Sequence, residues 1–316
     1  LLASSSALIY YIEQDYFCLD PKSVEEKITK KTKAIIVVDI FGSPYNADAI
    51  NAIAKKYNLK VIEDAAEAHG ALYHGKAAGS LADLGAFSTY IAHIITTGEG
   101  GVVTTNSDEY AEVIRSLRSH GRACSCKQCT LNIASGYCAK RFRGDERKDI
   151  RFTFDRIGYS CKMNEMEAAI GIGAMEIYDT IVKKRHNNLV HVLERFDRFK
   201  PFLTTIREEQ WERIGPHAIP IIAQEDAPFT REELSQYLEH GGIETRTLFN
   251  SIPTQCKGFE FLGYRLGDFP NAEYIGNNAI HIGCQQDVCL VEMDFVLDTI
   301  AGFINSIVLV LWQVKI

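Results

Sequence analysis

Two side chains suited to acid–base chemistry stand close together in the first third of the chain. Asp64 ends an apolar run, and His93 follows a second run and precedes Thr-Thr-Gly-Glu-Gly-Gly at 96–101. An imidazole with its usual pKa of about 6.5 can move protons at neutral pH. Taken alone, His93 would more often be a packed histidine, and Asp64 could simply cap a loop. Their grouping with Ser88 and the glycine-rich stretch favours a functional site.

The elements predicted around these residues form a βαβ unit of a parallel sheet. Residues 34–40 are a continuous apolar, β-branched run that predicts a strand buried on both faces. Residues 47–57 repeat apolar side chains at helical spacing behind Asn46, a favourable N-cap, and residues 59–62 form the next predicted strand. Open α/β sheets bind their ligands at the carboxyl ends of the strands, which is where Asp64 stands.

The rest of the chain continues as α/β and then changes to a smaller α+β unit. Strands are predicted at 84–90, 102–105 and 219–222, and helices at 108–118, 164–181, 181–199, 231–240 and 294–304. The Cys-rich stretch at 121–151 has no clear period and predicts a functional loop or an insert. We therefore predict a large α/β domain with a mostly parallel sheet over residues 1–190 and a small α+β domain over residues 191–316.

The bulk composition limits the classes of partner. The chain has 316 residues, of which 46% are hydrophobic, and a net charge of −7. Since this charge gives no broad basic field, nucleic acid and anionic membranes are not expected as partners, and a small-molecule substrate is expected. The apolar stretch at 304–312 is shorter than the roughly 20 residues that a membrane span needs, and it predicts a buried terminal helix or strand.

Several motifs resemble those of the DegT/DnrJ/EryC1/StrS family of sugar aminotransferases and dehydratases. They are Glu-Asp-Ala-Ala-Glu-Ala-His-Gly at 63–70, Phe-Ser at 87–88 and Gly-Glu-Gly-Gly at 98–101, with further matching segments at 115–118, 158–159, 163–171 and 242–246. The resemblance implies a type I PLP-dependent aminotransferase fold, in which the large domain lacks its N-terminal part. It also implies a nucleotide-sugar substrate, a cytoplasmic location, and a homodimer with active sites at the subunit interface.

The resemblance assigns roles to residues by position. Asp64 would pair with the protonated pyridine nitrogen of the B6 cofactor and keep the ring an electron sink. Ser88 would hydrogen-bond the cofactor phosphate, and Ser160 stands where the family usually has an asparagine that reaches the partner subunit's phosphate. Arg246 would bind substrate phosphate, or it pairs on the surface with Glu244.

Two departures from the aminotransferase pattern indicate the dehydratase branch of the family. His93 occupies the position of the Schiff-base lysine, and Glu67 replaces the usual glutamine near the ring hydroxyl. Because an imidazole cannot make the covalent link that a lysine makes, the implied resting cofactor is non-covalently held pyridoxamine 5'-phosphate rather than bound pyridoxal 5'-phosphate. The implied reaction removes the 3-hydroxyl from a nucleotide-linked 4-keto-6-deoxyhexose, in deoxysugar or polysaccharide biosynthesis, with His93 as the base. The alternatives are an aminotransferase that lost its lysine and a non-catalytic, metal-stapled scaffold.

Four cysteines are clustered in the predicted insert. Cys124, Cys126, Cys129 and Cys138 supply four soft ligands, enough for tetrahedral zinc or a [2Fe-2S] cluster, with free thiols in a loop as the alternative. The setting resembles the family's iron–sulfur branch, in which a reductase delivers electrons through the cluster. That branch takes one ligand from the Glu-Asp segment, where this chain has Ala66, and it spaces its later cysteines more closely.

The family comparison also implies that part of the cofactor cage lies outside this chain. Family members carry an N-terminal portion before the position of Leu1, with a loop that cradles the cofactor phosphate at a helix N-terminus. An aromatic side chain that stacks on the ring belongs to the same portion. We therefore expect the chain as given to bind the B6 cofactor weakly or not at all.

Overall fold

The structure is a computed structural model that describes residues 12, 17–129, 138–142, 148–248 and 252–314, and of residues 310–314 the backbone alone. The described part contains the helices α1 (Pro21–Lys27), α2 (Ala47–Tyr57), α3 (Asp108–Leu117), α4 (Glu165–Glu176), α5 (Tyr178–Phe196), α6 (Arg231–His240), α7 (Pro270–Asn278) and α8 (Leu290–Val314). Its strands are β1 (Ala34–Val38), β2 (Lys60–Asp64), β3 (Leu72–Tyr73), β4 (Lys76–Ala77), β5 (Leu84–Ser88), β6 (Gly101–Thr104), β7 (Leu203–Thr204), β8 (Glu212–Arg213), β9 (Ala218–Ala223), β10 (Thr245–Thr247) and β11 (Ala279–Gly283).

The first sheet has the strand order β1-β2-β5-β6 and confirms the predicted parallel arrangement. Strands β1, β2 and β5 are parallel, and β6 runs antiparallel to β5. The register pairs Asp64 with Val38 on one side and with Ala86 on the other. Because the carboxyl ends of parallel strands meet at one edge, the ends of β1, β2 and β5 bring Asp39, Asp64 and Ser88 to the same edge of the sheet.

Helix α2 forms as the sequence predicts. The Asn46 side chain accepts a hydrogen bond from the Ala49 N–H at 3.1 Å, which satisfies one of the free donors at the helix start. The buried side chains of α2 include Ile50 and Ile53, and they pack with Val24 and Val61 in the core beside the first sheet. One apolar face of α2 therefore packs against the sheet and stabilises the βαβ unit.

The prediction that β1 is buried on both faces is wrong. Ile35 and Val37 are buried, but Ile36 is 61% exposed and Val38 is 43% exposed. In the described part of the chain no element covers the face that Ile36 and Val38 share. The apolar composition of β1 therefore predicts burial correctly only for the face that carries Ile35 and Val37.

The second sheet, with the order β10-β11-β9-β7, is antiparallel throughout. Every residue of β9 is buried, and the sheet packs with α5, α6 and α8 in a large apolar core. Phe41, from the turn after β1, also belongs to this core. Helix α5 crosses the predicted boundary at residue 190, and the division into two domains stays a prediction.

The two long helices predicted in the middle of the chain differ from the observed ones in their bounds. Helix α4 ends at Glu176, and α5 begins at Tyr178 after a break at Ile177, whose φ of −112° and ψ of 10° are not helical. Helix α8 confirms that the apolar terminal stretch is helical, and α8 buries Met293, Leu297 and Ile300. The predicted burial of this stretch is wrong for residues 304–309, because their side chains are half-buried or exposed and Leu309 is 64% exposed. No helix in the described part of the chain has both the length and the apolar character that a membrane crossing requires.

Candidate active site

The edge formed by β2 and β5 presents a carboxylate and a hydroxyl, as predicted. One oxygen of Asp64 accepts a hydrogen bond from the Ala66 N–H at 3.1 Å, which fixes the carboxylate just beyond the strand. The Ser88 hydroxyl oxygen accepts from the Tyr90 N–H at 3.1 Å, so its O–H remains able to donate. Both side chains are therefore oriented by backbone groups of their own loops.

His93 lies in the loop after β5, near Asp64. Its N–H donates to the Tyr90 carbonyl at 2.9 Å, which closes a turn and directs the ring. Its Nδ1 is buried and forms no hydrogen bond within the described residues. Burial lowers the pKa of His93, and the charge of Asp64 offsets part of that effect. The imidazole is therefore neutral at pH 7 and able to accept a proton.

Glu67 reaches back from the loop after β2 to the turn after β1. Its Oε2 accepts a hydrogen bond from the Phe41 N–H at 2.7 Å. Burial raises the pKa of Glu67, and the nearby charge of Asp64 raises it further against the effect of the Phe41 hydrogen bond. The carboxyl therefore holds a proton more readily than an exposed glutamate does.

His217, which the sequence analysis did not single out, completes this cluster. One donor atom each of Glu67, His93 and His217 lie within 4.8 Å of one another. The Nε2 of His217 is 3.9 Å from the Glu67 Oε1, and the rings of His93 and His217 meet edge to face at 5.2 Å. Burial lowers the pKa of His217 to about 4, helped by His93 and Arg185. His217 is thus neutral at pH 7, and its contact with Glu67 is not an ion pair.

The backbone around Phe41 brings Glu67 and His217 together. The Phe41 carbonyl accepts from the His217 N–H at 3.4 Å, while the Phe41 N–H donates to Glu67. The next residue, Gly42, accepts from the Gly215 N–H at 3.0 Å. Phe41 itself adopts a left-handed conformation with φ of 55°, which is uncommon for a residue with a bulky side chain and is held by the packing of its ring.

Arg185 fixes the segment before β9 from the other side. Its buried guanidinium donates to the carbonyl oxygens of Pro216 and His217, each at 3.2 Å. These contacts place His217 at the start of a fully buried strand. The sequence does mark His217, since this polar residue stands between Gly215-Pro216 and an apolar run. Its partner His93 lies 124 positions earlier, so spacing along the chain could not reveal the pair.

The structure does not bring the other predicted site residues into this cluster. Ser160 lies in an exposed bridge to Ser119, and its side chain forms no hydrogen bond within the described residues. Arg246 is 66% exposed and pairs with Glu244 at 3.0 Å, yet it is near enough to help lower the pKa of His217. Their roles in phosphate binding stay predictions.

The four clustered cysteines line one cavity of about 380 Å³. Glu67, His93 and His217 are not among the residues that line this cavity. The walls also include the basic side chains Lys127, Lys140, Arg141 and Arg151. Burial raises the pKa of the Cys124 thiol, and the neighbouring Cys126 and Cys129 add to this effect against a backbone hydrogen bond. The prediction that these cysteines share one location agrees with this cavity, while metal binding by them stays a prediction.

Comparison with known proteins identifies the fold and the family. The E. coli GDP-4-keto-6-deoxy-D-mannose-3-dehydratase with bound hydrated PLP superposes with a TM-score of 0.77 at 27% identity, over 92% of this chain and 73% of that one. The predicted type I PLP-dependent aminotransferase fold is thereby confirmed. Residues 5–301 match the DegT/DnrJ/EryC1/StrS aminotransferase family, and the chain belongs to that family.

The similar relatives include both enzyme classes of the family. The dTDP-4-dehydro-2,6-dideoxy-D-glucose 3-dehydratase of Saccharopolyspora spinosa is 31% identical over 93% of this chain and 64% of its own length. The UDP-4-amino-4,6-dideoxy-N-acetyl-beta-L-altrosamine transaminase of Campylobacter jejuni serotype O:2 is 29% identical over 92% of this chain and 71% of its own length. The chain spans 66% and 64% of the length of the first two curated relatives it matches.

The close approach at Gly215 generates a prediction about the assembly of the site. A Cβ at Gly215 would collide with the carbonyl oxygen of His69 and would lie 2.7 Å from the Ala71 nitrogen. Gly215→Ala should therefore lower the free energy of unfolding, measured by urea denaturation, by about 1–3 kcal/mol. Gly258→Ala is the matched control, because nothing lies within 4 Å of the added methyl group, and it should change stability by less than about 0.5 kcal/mol. Equal effects of the two substitutions would contradict the packing described for the turn.

Proposed function

We propose that this protein is a B6-dependent dehydratase that removes the 3-hydroxyl of a nucleotide-linked 4-keto-6-deoxyhexose, with pyridoxamine 5'-phosphate as cofactor. The observation that carries the proposal is the neutral, half-buried imidazole of His93 near Asp64, at the strand edge where a transaminating family member has lysine. The dehydratases among the similar proteins support this choice. The proposal places the enzyme in deoxysugar or polysaccharide biosynthesis.

The residues present fit a B6 cofactor. Asp64 is held by one oxygen on the Ala66 N–H, and its remaining acceptor sites can hold the proton of a pyridine nitrogen. Ser88 keeps a hydroxyl hydrogen for a phosphate oxygen at the same edge. When bound, pyridoxamine 5'-phosphate supplies an amine for the substrate ketone and a ring that accepts electrons.

His93 moves the proton in the proposed reaction. Its Nδ1 is buried, which leaves Nε2 as the ring nitrogen for proton exchange with a bound molecule. The lowered pKa of His93 keeps this nitrogen unprotonated at neutral pH, so it begins the reaction as a base. The same imidazole, once protonated, can deliver a proton to the departing hydroxyl, which leaves as water. Asp64 stabilises the protonated ring, because its charge raises the pKa of His93 against burial.

Glu67 assists at the same place. Because burial raises its pKa, Glu67 can hold a proton for a hydrogen bond to the cofactor hydroxyl, a role that a glutamine would fill in the aminotransferase pattern. The Phe41 N–H fixes its other oxygen. Arg246 is proposed to bind the diphosphate of the nucleotide sugar, since its guanidinium is exposed near His217.

Replacing His93 tests the proposed reaction type. His93→Ala should lower the rate of 3-deoxygenation at least about a hundredfold, because it removes the general base. The assay supplies pyridoxamine 5'-phosphate, glutamate and GDP-, dTDP- or CDP-linked 4-keto-6-deoxyhexoses to the protein, and it follows loss of the 3-hydroxyl by NMR. His240→Ala, at an exposed position at the end of α6, is the matched control.

The outcomes of this assay separate the candidate functions. Unchanged turnover in His93→Ala would overturn the role of His93. An amino sugar formed with glutamate as donor, without deoxygenation, would favour the aminotransferase alternative, for which the Campylobacter transaminase is the supporting relative. No turnover with any of these sugars would favour a non-catalytic scaffold.

We propose that the protein forms a homodimer through α4. This helix has no buried residue, although many of its side chains are apolar. Four large apolar side chains on it are more than half exposed: Met166, Ile170, Ile172 and Met175. A row of exposed large apolar side chains on one helix is typical of a protein–protein interface. In the proposed dimer this surface adjoins Ser160, which would then reach the partner subunit's cofactor phosphate.

Sedimentation velocity at micromolar concentration tests the dimer. The unmodified protein should sediment as a dimer, and Met166→Glu with Ile170→Glu should shift it to the monomer, because two buried charges would oppose association. Leu266→Glu is the matched control, since Leu266 is 82% exposed and lies outside α4. A monomer at every concentration of the unmodified protein would contradict the proposal.

We propose that the cysteine cavity binds a metal, either a [2Fe-2S] cluster or zinc, and in the first case receives electrons from a reductase. Four thiols around one cavity of about 380 Å³ support this proposal, since soft sulfur ligands suit both metals. The basic walls would offset the negative charge of thiolates bound to a metal. The raised pKa of Cys124 describes the thiol without a bound metal. A bound cation would deprotonate a coordinating thiol.

Metal analysis of protein purified without oxygen tests the cysteine cavity. About one zinc or two iron atoms per chain are expected, and a visible absorption band identifies iron. Cys124→Ser with Cys126→Ser should abolish this content, while Cys161→Ser, an exposed cysteine outside the cavity, should retain it. Equal metal content in both variants would rule out the cavity as the site.

A further inference from the structure

We propose that Glu67, His93 and His217 form a binding site for one divalent transition-metal ion, with zinc as the best fit. One donor atom from each of the three side chains lies within 4.8 Å of the other two. Two imidazole nitrogens and one carboxylate oxygen are a donor set that binds catalytic zinc in other proteins. The site does not depend on the proposed dehydratase function and lies apart from the cysteine cavity.

The three donor atoms, which lie within 4.8 Å of one another, must move closer together around an ion. Donor atoms in a tetrahedral zinc site lie roughly 3.4 Å apart, given zinc–nitrogen distances of about 2.0–2.1 Å. The Glu67 Oε1 and the His217 Nε2 are 3.9 Å apart without an ion. These two atoms would therefore have to approach each other by about half an ångström on zinc binding.

Two of the three donors, Glu67 and His217, are held in place by groups that do not themselves bind the ion. The Phe41 N–H fixes one Glu67 oxygen, and the Phe41 carbonyl fixes the His217 backbone. Arg185 fixes the same backbone from the opposite side through the Pro216 and His217 carbonyl oxygens. Since positions of this kind are largely prepared before binding, the entropy lost on binding an ion is small.

The donors are also partly removed from water. The side chains of Glu67 and His217 are 27% and 17% exposed, and the Nδ1 atoms of His93 and His217 have no hydrogen-bond partner within the described residues. Three protein donors leave the fourth tetrahedral position open to water or another ligand. An ion at this position occupies a nitrogen of His93, so metal binding and proton transfer by His93 exclude each other.

Cobalt(II) titration of Cys124→Ser/Cys126→Ser protein, without B6 cofactor or sugar, tests the site. Removing these thiols separates the two candidate metal sites, because thiolate-bound cobalt gives strong near-ultraviolet charge-transfer absorption and the proposed site gives only weak visible bands. Binding of about one cobalt ion per chain with visible bands alone is expected. Zinc should displace the cobalt, in accord with its tighter binding to such donors.

Two conservative variants in the same background assign the ligands. Glu67→Gln and His217→Gln should each weaken cobalt binding by more than about a hundredfold, since loss of a ligand exceeds the effect of losing a supporting hydrogen bond. His240→Gln should leave binding unchanged. Circular dichroism and thermal unfolding of each variant show whether it remains folded, and a variant that unfolds is replaced by Glu67→Asp or His217→Asn.

Three results would overturn the proposal. They are no cobalt binding at millimolar concentration, binding that survives both Gln substitutions in folded protein, and binding that His240→Gln removes equally. Because the assay contains neither cofactor nor sugar, failure of the metal site leaves the dehydratase test unaffected, and failure of the dehydratase leaves the metal result unaffected.

Discussion

The backbone of Phe41 joins the two four-stranded sheets of the described part of the chain, and the candidate site depends on this junction. Its N–H binds Glu67 from the first sheet's edge, its carbonyl binds the His217 N–H ahead of β9, and its ring packs in the core of the second sheet. The left-handed backbone at Phe41 allows these three contacts at one residue. The position of His217 relative to His93 is therefore set by a turn that belongs neither to the loop of Glu67 nor to the loop of His93.

Burial then decides the charge of the groups that this turn assembles. The pKa values of His93 and His217 are lowered and that of Glu67 is raised, in each case mainly by loss of water. Asp64 remains the nearby negative charge that acts on both His93 and Glu67. A neutral imidazole beside a carboxylate suits proton transfer, and two neutral imidazoles beside a carboxyl group suit a metal ion. Desolvation of the two imidazoles thus supports both proposals, which compete for the imidazole of His93. The raised pKa of Glu67 opposes metal binding, because a carboxyl group must lose its proton to bind an ion.

Local signals in the sequence predict the first sheet and its edge well. The apolar runs, the Asn46 cap and the position of Asp64 after β2 follow from short-range patterns, and the structure confirms them. The exposed face of β1 could not be predicted, because composition reports apolar character and not which neighbour covers it. His217 was missed for a related reason, since it meets His93 only through contacts between the two sheets. The break at Ile177 depends on backbone angles that the helical pattern across it does not reveal.

The central claim is that His93 stands where a lysine would link the cofactor, so that this protein holds B6 without a covalent bond. Mass spectrometry after incubation with pyridoxal 5'-phosphate and reduction with borohydride tests it most directly. The account predicts no cofactor adduct at residue 93 or elsewhere in the site of the unmodified protein, and an adduct at residue 93 in His93→Lys. A stable adduct on a native lysine beside Asp64 would contradict the account. So would the absence of an adduct in folded His93→Lys at a cofactor concentration that a binding titration shows to saturate it.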